Sequence, residues 1–276
     1  MSRLDGAVTI VTGGAGGLGT ALSQELVGRG SRIILAENRD ATEAVQNLRD
    51  AGAEAEWFEV DVSDYAQMEK LREFAISTYG GVNVLINNAV YAEGAGGMIP
   101  ETDPAGVRRV FEVNVIGYYN GIRAFAEDLR NAAADGRPAH LMCVGSEHSF
   151  GVPPHCAPAS PYTVSKYTML AFTDVARRDF AGTDVGVTLL APGWIYTDLV
   201  KHYAEATPEF AEQVLPYAQT PEFVAREAID GMLRNDYIIF PNPRSAPFAI
   251  EHADAVLAAL RAAAAQDLPD EVWIQP

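Results

Sequence analysis

Cysteine is scarce in this chain: only Cys143 and Cys156 among 276 residues. Two are too few for a disulfide framework, and they do not form a CxxC pair, so a reducing compartment is expected. Basic residues are few as well, 20 Lys and Arg against 37 Asp and Glu, for a net charge of −17. Such an acidic balance argues against a nucleic-acid partner, which needs clustered positive charge. Long hydrophobic runs are missing. No stretch approaches the ~20 apolar residues of a membrane span, and the N-terminal apolar run meets turn-forming glycines too soon for a secretion signal. A cytoplasmic protein with no membrane partner is expected. What is plentiful is apolar: 48% of the chain is hydrophobic, enough at this length for one well-buried core in a single domain, 1–276.

Short β-rich runs recur at 7–11, 32–36, 56–60, 83–86, 140–144 and 186–190, with a seventh at 237–240. They are near-continuously apolar, as strands of a parallel sheet buried on both faces must be. Helical patterns fill the gaps at 18–29, 41–51, 64–79, 104–130, 161–181 and 221–234, and the alanine-rich 253–265 reads as a terminal helix. The alternation predicts an α/β fold, a doubly wound parallel sheet of about seven strands with helices on both faces. Segment 194–218 is dense in aromatics (Trp194, Tyr196, Tyr203, Phe210, Tyr217) and reads as a substrate-binding lid.

Two short stretches suggest chemistry. "TGGAGGLG", Thr12–Gly19, lies where the first strand turns into the first helix. Glycines there allow positive φ, and the helix N-terminus presents free N–H groups to a phosphate. "PYTVSK" places Tyr162 one helical turn before Lys166, so both side chains share a face. A free phenol titrates at about 10 and is a poor base near neutrality, whereas a neighbouring ammonium favours the phenolate. Asn114, inside an apolar helical run, is a third anomaly, because its amide competes for backbone hydrogen bonds.

Together these motifs resemble those of the short-chain dehydrogenase/reductase family: TGxxxGxG, an Asn-Asn-Ala strand end, Tyr-x-x-x-Lys and PGxxxT, in order over residues 12–197. The resemblance implies a dinucleotide held by Gly13, Gly17, Leu18 and Gly19 at the phosphates, and by Asp61 and Val62 at the adenine. Asn88 and Ala89 match the next strand end, although Val90 stands where the family has glycine. Pro192 and Gly193 correspond to the turn around the nicotinamide, Ile195 and Thr197 to its carboxamide contacts, and Tyr162 and Lys166 to its ribose contacts. Glu37, at the end of the second strand, would bind the adenosine ribose and repel a 2′-phosphate. Gly16 and Asn38 fill positions that are often basic in NADP enzymes, with Arg39 one step beyond. NAD is therefore the expected cofactor.

The implied activity is an oxidoreductase interconverting a secondary alcohol and a ketone, with an apolar or aromatic small molecule as substrate. Tyr162 is the expected general acid/base and Lys166 its pKa-lowering, ribose-binding partner. Asn114 anchors a proton relay, and a serine orients the substrate oxygen. Strand register favours Ser146, while Ser149 has the more usual interval to Tyr162. A lyase or epimerase using the same pair, or a catalytically silent NAD-binding regulator, are the alternatives. Both are disfavoured, the first by the missing large C-terminal substrate domain and the second by the retained Tyr162 and Lys166. His148 and His155 read as solvated loop histidines, and no metal site is expected. The family also implies a homotetramer or homodimer built on the helices at 104–130 and 161–181.

Overall fold

In the computed structural model, which describes residues 4–93 and 96–266, every apolar run became a strand. They are β1 (Val8–Thr12), β2 (Arg32–Glu37), β3 (Ala55–Glu59), β4 (Val84–Asn87), β5 (His140–Val144), β6 (Gly186–Leu190) and β7 (Ile238–Ile239). All pair in parallel in the order β3-β2-β1-β4-β5-β6-β7. The order reverses direction between β1 and β4, the switch point at which ligands of open parallel sheets bind.

The continuous hydrophobicity of the strands has a direct cause in the layering. Along β2, Ile34 and Ala36 face one core while Ile33 and Leu35 face the other. Likewise Leu141 and Cys143 of β5 oppose Met142 and Val144. With helices on both sides, the two-residue period alternates apolar with apolar. The first core is completed by α3 (Tyr65–Tyr79), α5 (Gly117–Ala134) and α6 (Ser160–Asp179), through Leu71, Phe125 and Met169. Helices α1 (Gly17–Gly28), α2 (Thr42–Asp50) and α9 (Pro221–Arg234) complete the second, through Leu22, Leu48 and Ile229.

The structure refines three expectations. The helix expected over 104–130 is α4 (Pro104–Phe111), a π-helical turn (Glu112–Ile116), and then α5. Asn114 sits inside that turn, where the wider winding removes the ordinary helical hydrogen-bond pattern. The segment 194–218, expected as a lid, holds α7 (Asp198–Ala206) and α8 (Pro208–Val214). The terminal helix α10 (Ala246–Ala264) begins well before the alanine-rich stretch. Pro208 and Pro247 lie in the first turns of α8 and α10, where a missing N–H costs nothing. No helix among the described residues is long and apolar enough to cross a membrane.

Candidate active site

The glycine loop is built by close approach. Gly13 adopts φ +63 and Gly17 φ +46, left-handed values that side chains rarely take. A Cβ on Gly19 would lie 2.0 Å from the carbonyl oxygen of Gly13, so the loop folds onto the first turn of α1 only without one. No side chain caps α1 and no acidic residue occupies its first turn, so Leu18 sits in a turn electrostatically suited to a phosphate. Asn88 braces this loop, its amide donating to the carbonyls of Thr12 and Gly13, both at 2.9 Å. The N–H groups of Asn88 and Ala89 donate to Thr12 Oγ1 at 2.9 and 3.0 Å. The strand end after β4 thus fixes the loop from beside it.

Glu37 closes β2 as a buried carboxylate whose Oε1 accepts from the Ala15 N–H at 2.6 Å. It reaches across to the glycine loop, on the same rim. Beyond β3, Asp61 accepts from the Ser63 N–H and hydroxyl and, at 2.7 Å, from Arg109. Burial opposes its charge, but these hydrogen bonds outweigh it and hold the carboxyl below its usual range. Arg109 was not anticipated, since nothing in the α4 pattern separates it from the solvated Arg108. Val62 packs where a Cβ on Gly117 would come within 2.6 Å of its Cγ2.

On the opposite side of the switch point, Ser146 follows β5 directly, and Tyr162 and Lys166 lie on the first turns of α6. Burial pushes the Tyr162 phenol up to about 12, and a hydrogen bond with Ser146 works in the other direction. Lys166 Nζ stands 5.9 Å from the Tyr162 ring centre and donates to the carbonyl of Val144 at 2.8 Å. Burial also lowers the Lys166 pKa to about 7. Tyr118, another residue the sequence did not single out, donates its hydroxyl to the same Val144 carbonyl at 2.7 Å.

Asn114 is fully buried; its Oδ1 accepts from the Tyr91 N–H at 2.8 Å, and its amide donates to the Tyr91 carbonyl and Ser165 hydroxyl. Every polar atom of that amide is engaged in bracing α6 and the loop after β4. Pro192 and Gly193 lie beside Glu147, whose N–H donates to the Pro192 carbonyl at 2.8 Å. Ile195 bridges to Gln219 as an isolated β contact, and Thr197 caps α7 by accepting from the Val200 N–H. The Thr197 methyl lies 3.1 Å from where a Cβ on Gly17 would stand, which brings the PGxxxT segment over the glycine loop.

Three side chains do not match the sequence reading. Ser149 is completely buried: its hydroxyl donates to the Lys166 carbonyl at 2.7 Å and accepts from the Ser146 N–H at 3.2 Å. It is a brace between the serine turn and α6. His148 is not solvated either; its Nδ1 pairs with Thr163 Oγ1 at 2.8 Å, its ring meets Tyr162 edge-on, and burial draws its pKa down to about 4. His155, expected in solvent, stacks on Tyr217 with ring centres 3.8 Å apart and reaches Glu147 at 3.1 Å. The candidate lid aromatics pack largely against one another, Trp194 and Tyr203 both edge-on to Phe210. In the stretch "YAEGAGGMIP" after β4, residues 94 and 95 lie outside the described residues.

The profile of the short chain dehydrogenase family matches residues 7–208, and the chain belongs to that family. It is similar to 1-deoxy-11-beta-hydroxypentalenate dehydrogenase of Streptomyces exfoliatus, 32% identical over 72% of this chain and 71% of the relative. It is also similar to the (S)-acetoin-forming diacetyl reductase of Staphylococcus epidermidis, 27% identical over 69% and 72% of the two chains. A short-chain dehydrogenase/reductase from Burkholderia phymatum, solved in complex with NAD, superposes with a TM-score of 0.81. It is 26% identical and is matched over 94% of this chain and 97% of its own. The protein is an oxidoreductase of this family, with the family's seven-stranded parallel sheet.

Proposed function

We propose that the chain is an NAD-dependent oxidoreductase that interconverts a secondary alcohol and a ketone. The observation that carries this reading is the juxtaposition of Ser146, just past β5, with Tyr162 and Lys166 on the first turns of α6, on the same rim as the glycine loop and Glu37. The residues present fit NAD. The loop has glycine where backbone crowding forbids a Cβ, and Glu37 stands as an anion where a 2′-phosphate would lie. When bound, NAD supplies the hydride acceptor and, in its oxidised form, a positively charged ring.

The chain's own residues hold the substrate and move the proton. Ser146 and Tyr162 share the substrate oxygen, and in oxidation Tyr162 Oη takes the hydroxyl proton as the alcohol carbon loses its hydride. In reduction the same phenol returns it. Because burial raises Tyr162 and lowers Lys166, neither group is comfortable charged alone, and ionisation as a phenolate–ammonium pair offsets burial for both. Lys166 is held for that role by Val144 and braces the ribose side of the site. Asn114, through Ser165 and Tyr91, positions α6 for the proton relay.

The segment 194–218 then acts as the lid, and its aromatic residues favour an apolar or aromatic substrate. We further infer one domain over the full chain, a cytoplasmic setting, and a homotetramer or homodimer. The test is Tyr162→Phe, assayed with a panel of secondary alcohols and ketones by NADH absorbance. Turnover should vanish while NADH binding persists; substantial residual turnover would remove Tyr162 from the acid–base role.

A further inference from the structure

Beside Ser146 the structure gathers a cluster that the oxidoreductase reading does not use. Glu147, His155 and Cys156 each offer one potential donor atom, and those atoms all lie within 4.8 Å of one another. The sequence concealed this, since His155 lies eight positions beyond Glu147, on the far side of a Pro-Pro pair. We propose that these three side chains form a binding site for a divalent transition metal of the zinc class.

The first support is burial. The Glu147 side chain is 2% exposed and that of His155 8%, and among the described residues no Lys or Arg pairs with this carboxylate. A carboxylate removed from water without a cation is costly, and buried charges are paired or coordinate metals. Glu147 Oε2 is buried with no hydrogen-bond partner. A divalent cation at this cluster would compensate a buried carboxylate that no Lys or Arg among the described residues reaches.

The second support is donor chemistry and spacing. Sulfur, imidazole nitrogen and carboxylate oxygen are zinc's own ligand types, and ordinary zinc bond lengths in a tetrahedron put N···O at about 3.3 Å and S···O at about 3.5 Å. Here His155 Nε2 lies 3.1 Å and Cys156 Sγ 3.7 Å from Glu147 Oε1. The His155 ring is already fixed by stacking on Tyr217 and by an edge contact with Phe248, so little ordering remains for binding. Three protein donors leave a fourth position for water or an oxygen of a small molecule.

The experiment titrates the chelator-stripped full-length protein with zinc alone, then counts metal by elemental analysis after gel filtration. One equivalent per chain is expected. Cobalt(II) in place of zinc should give thiolate-to-cobalt charge-transfer absorption, lost in Cys156→Ala. His155→Ala should weaken zinc by more than the ~10–100-fold typical of outer-shell changes. NADH binding by the same variants checks their fold. Should a variant fail to fold, alkylation of wild-type Cys156 supplies the reading, because bound zinc should protect it. Absence of zinc uptake by the wild type, uptake unchanged in both variants, or alkylation indifferent to zinc would each overturn the site.

Discussion

Lys166 Nζ donates to the carbonyl oxygen of Val144 at 2.8 Å, which ties the first turns of α6 to the last residue of β5. The same carbonyl accepts the Tyr118 hydroxyl, so one strand-end oxygen organises two side chains around the expected phenol. Lys166→Met keeps much of the buried volume but removes the donor and the charge. It should lower kcat for alcohol oxidation by roughly 10²–10⁴ and also weaken NADH binding. A variant with unimpaired turnover, in a steady-state assay alongside NADH fluorescence titration, would separate Lys166 from the chemistry.

Ser146 and Ser149 are three residues apart but have different expected phenotypes. Ser146→Ala removes the hydroxyl set to share the substrate oxygen with Tyr162 and should cost ~10²–10³ in kcat, while the loss of its 3.3 Å cap on the His148 N–H lowers the melting temperature less than Ser149→Ala does. Ser149→Ala leaves the buried Ser146 N–H without its acceptor and removes the tie to the Lys166 carbonyl of α6, at about 1–3 kcal/mol. It should therefore lower the melting temperature first and activity only secondarily. The opposite ranking in parallel melting and rate measurements would reverse the assignment.

The fold was legible because strand hydrophobicity on both faces is a local signal, as the alternation of Ile33, Ile34, Leu35 and Ala36 between two cores shows. The site was legible where it is carried by short spacings: Gly13–Gly19 on one turn, Tyr162 and Lys166 on one helix face. What sequence did not reveal depends on tertiary closure. Ser149 and Ser146 look alike until one is seen bonded to α6. His155 reads as a loop residue until Tyr217 stacks on it, and Arg109 becomes notable only when Asp61 arrives from another loop. The π-helical turn at Asn114 was half visible: the misplaced amide signalled a distortion but not its winding.

His140 yields a pH prediction. It is buried on β5, and its Nε2 contacts Thr188 Oγ1 at 2.8 Å; since that hydroxyl donates to the Asp236 carbonyl, Nε2 carries the proton. Burial, aided by Arg177, lowers its pKa to about 3, against about 6.5 in an unfolded chain. Between those values the unfolded state binds the extra proton, so stability falls as pH drops through the window, by up to about 1.4 kcal/mol per unit. His140→Gln retains a donor to Thr188 without titrating. Denaturant midpoints from pH 7 to 4 should show a shallower decline for the variant, and parallel slopes would assign the loss to other groups.

If Glu37 selects NAD as proposed, it acts through two effects that substitution combines. Its Oε1 holds the Ala15 N–H at 2.6 Å, so the carboxylate both stiffens the glycine loop and presents negative charge where a 2′-phosphate would sit. Arg39 is already near, its Nη2 3.4 Å from the position of a Cβ on Gly16. Glu37→Ser should therefore lower efficiency with NAD, through the loosened loop, and raise it with NADP, through lost repulsion and the nearby Arg39 guanidinium. A charged hydrogen bond of ~1.5–3 kcal/mol corresponds to a shift of roughly 10- to 100-fold in the ratio of the two efficiencies. Adding Arg39→Ala should take back the NADP gain while leaving the NAD loss in place. If the parent enzyme used both cofactors equally, or if the double variant kept the NADP gain, Glu37 and Arg39 would not be what discriminates them.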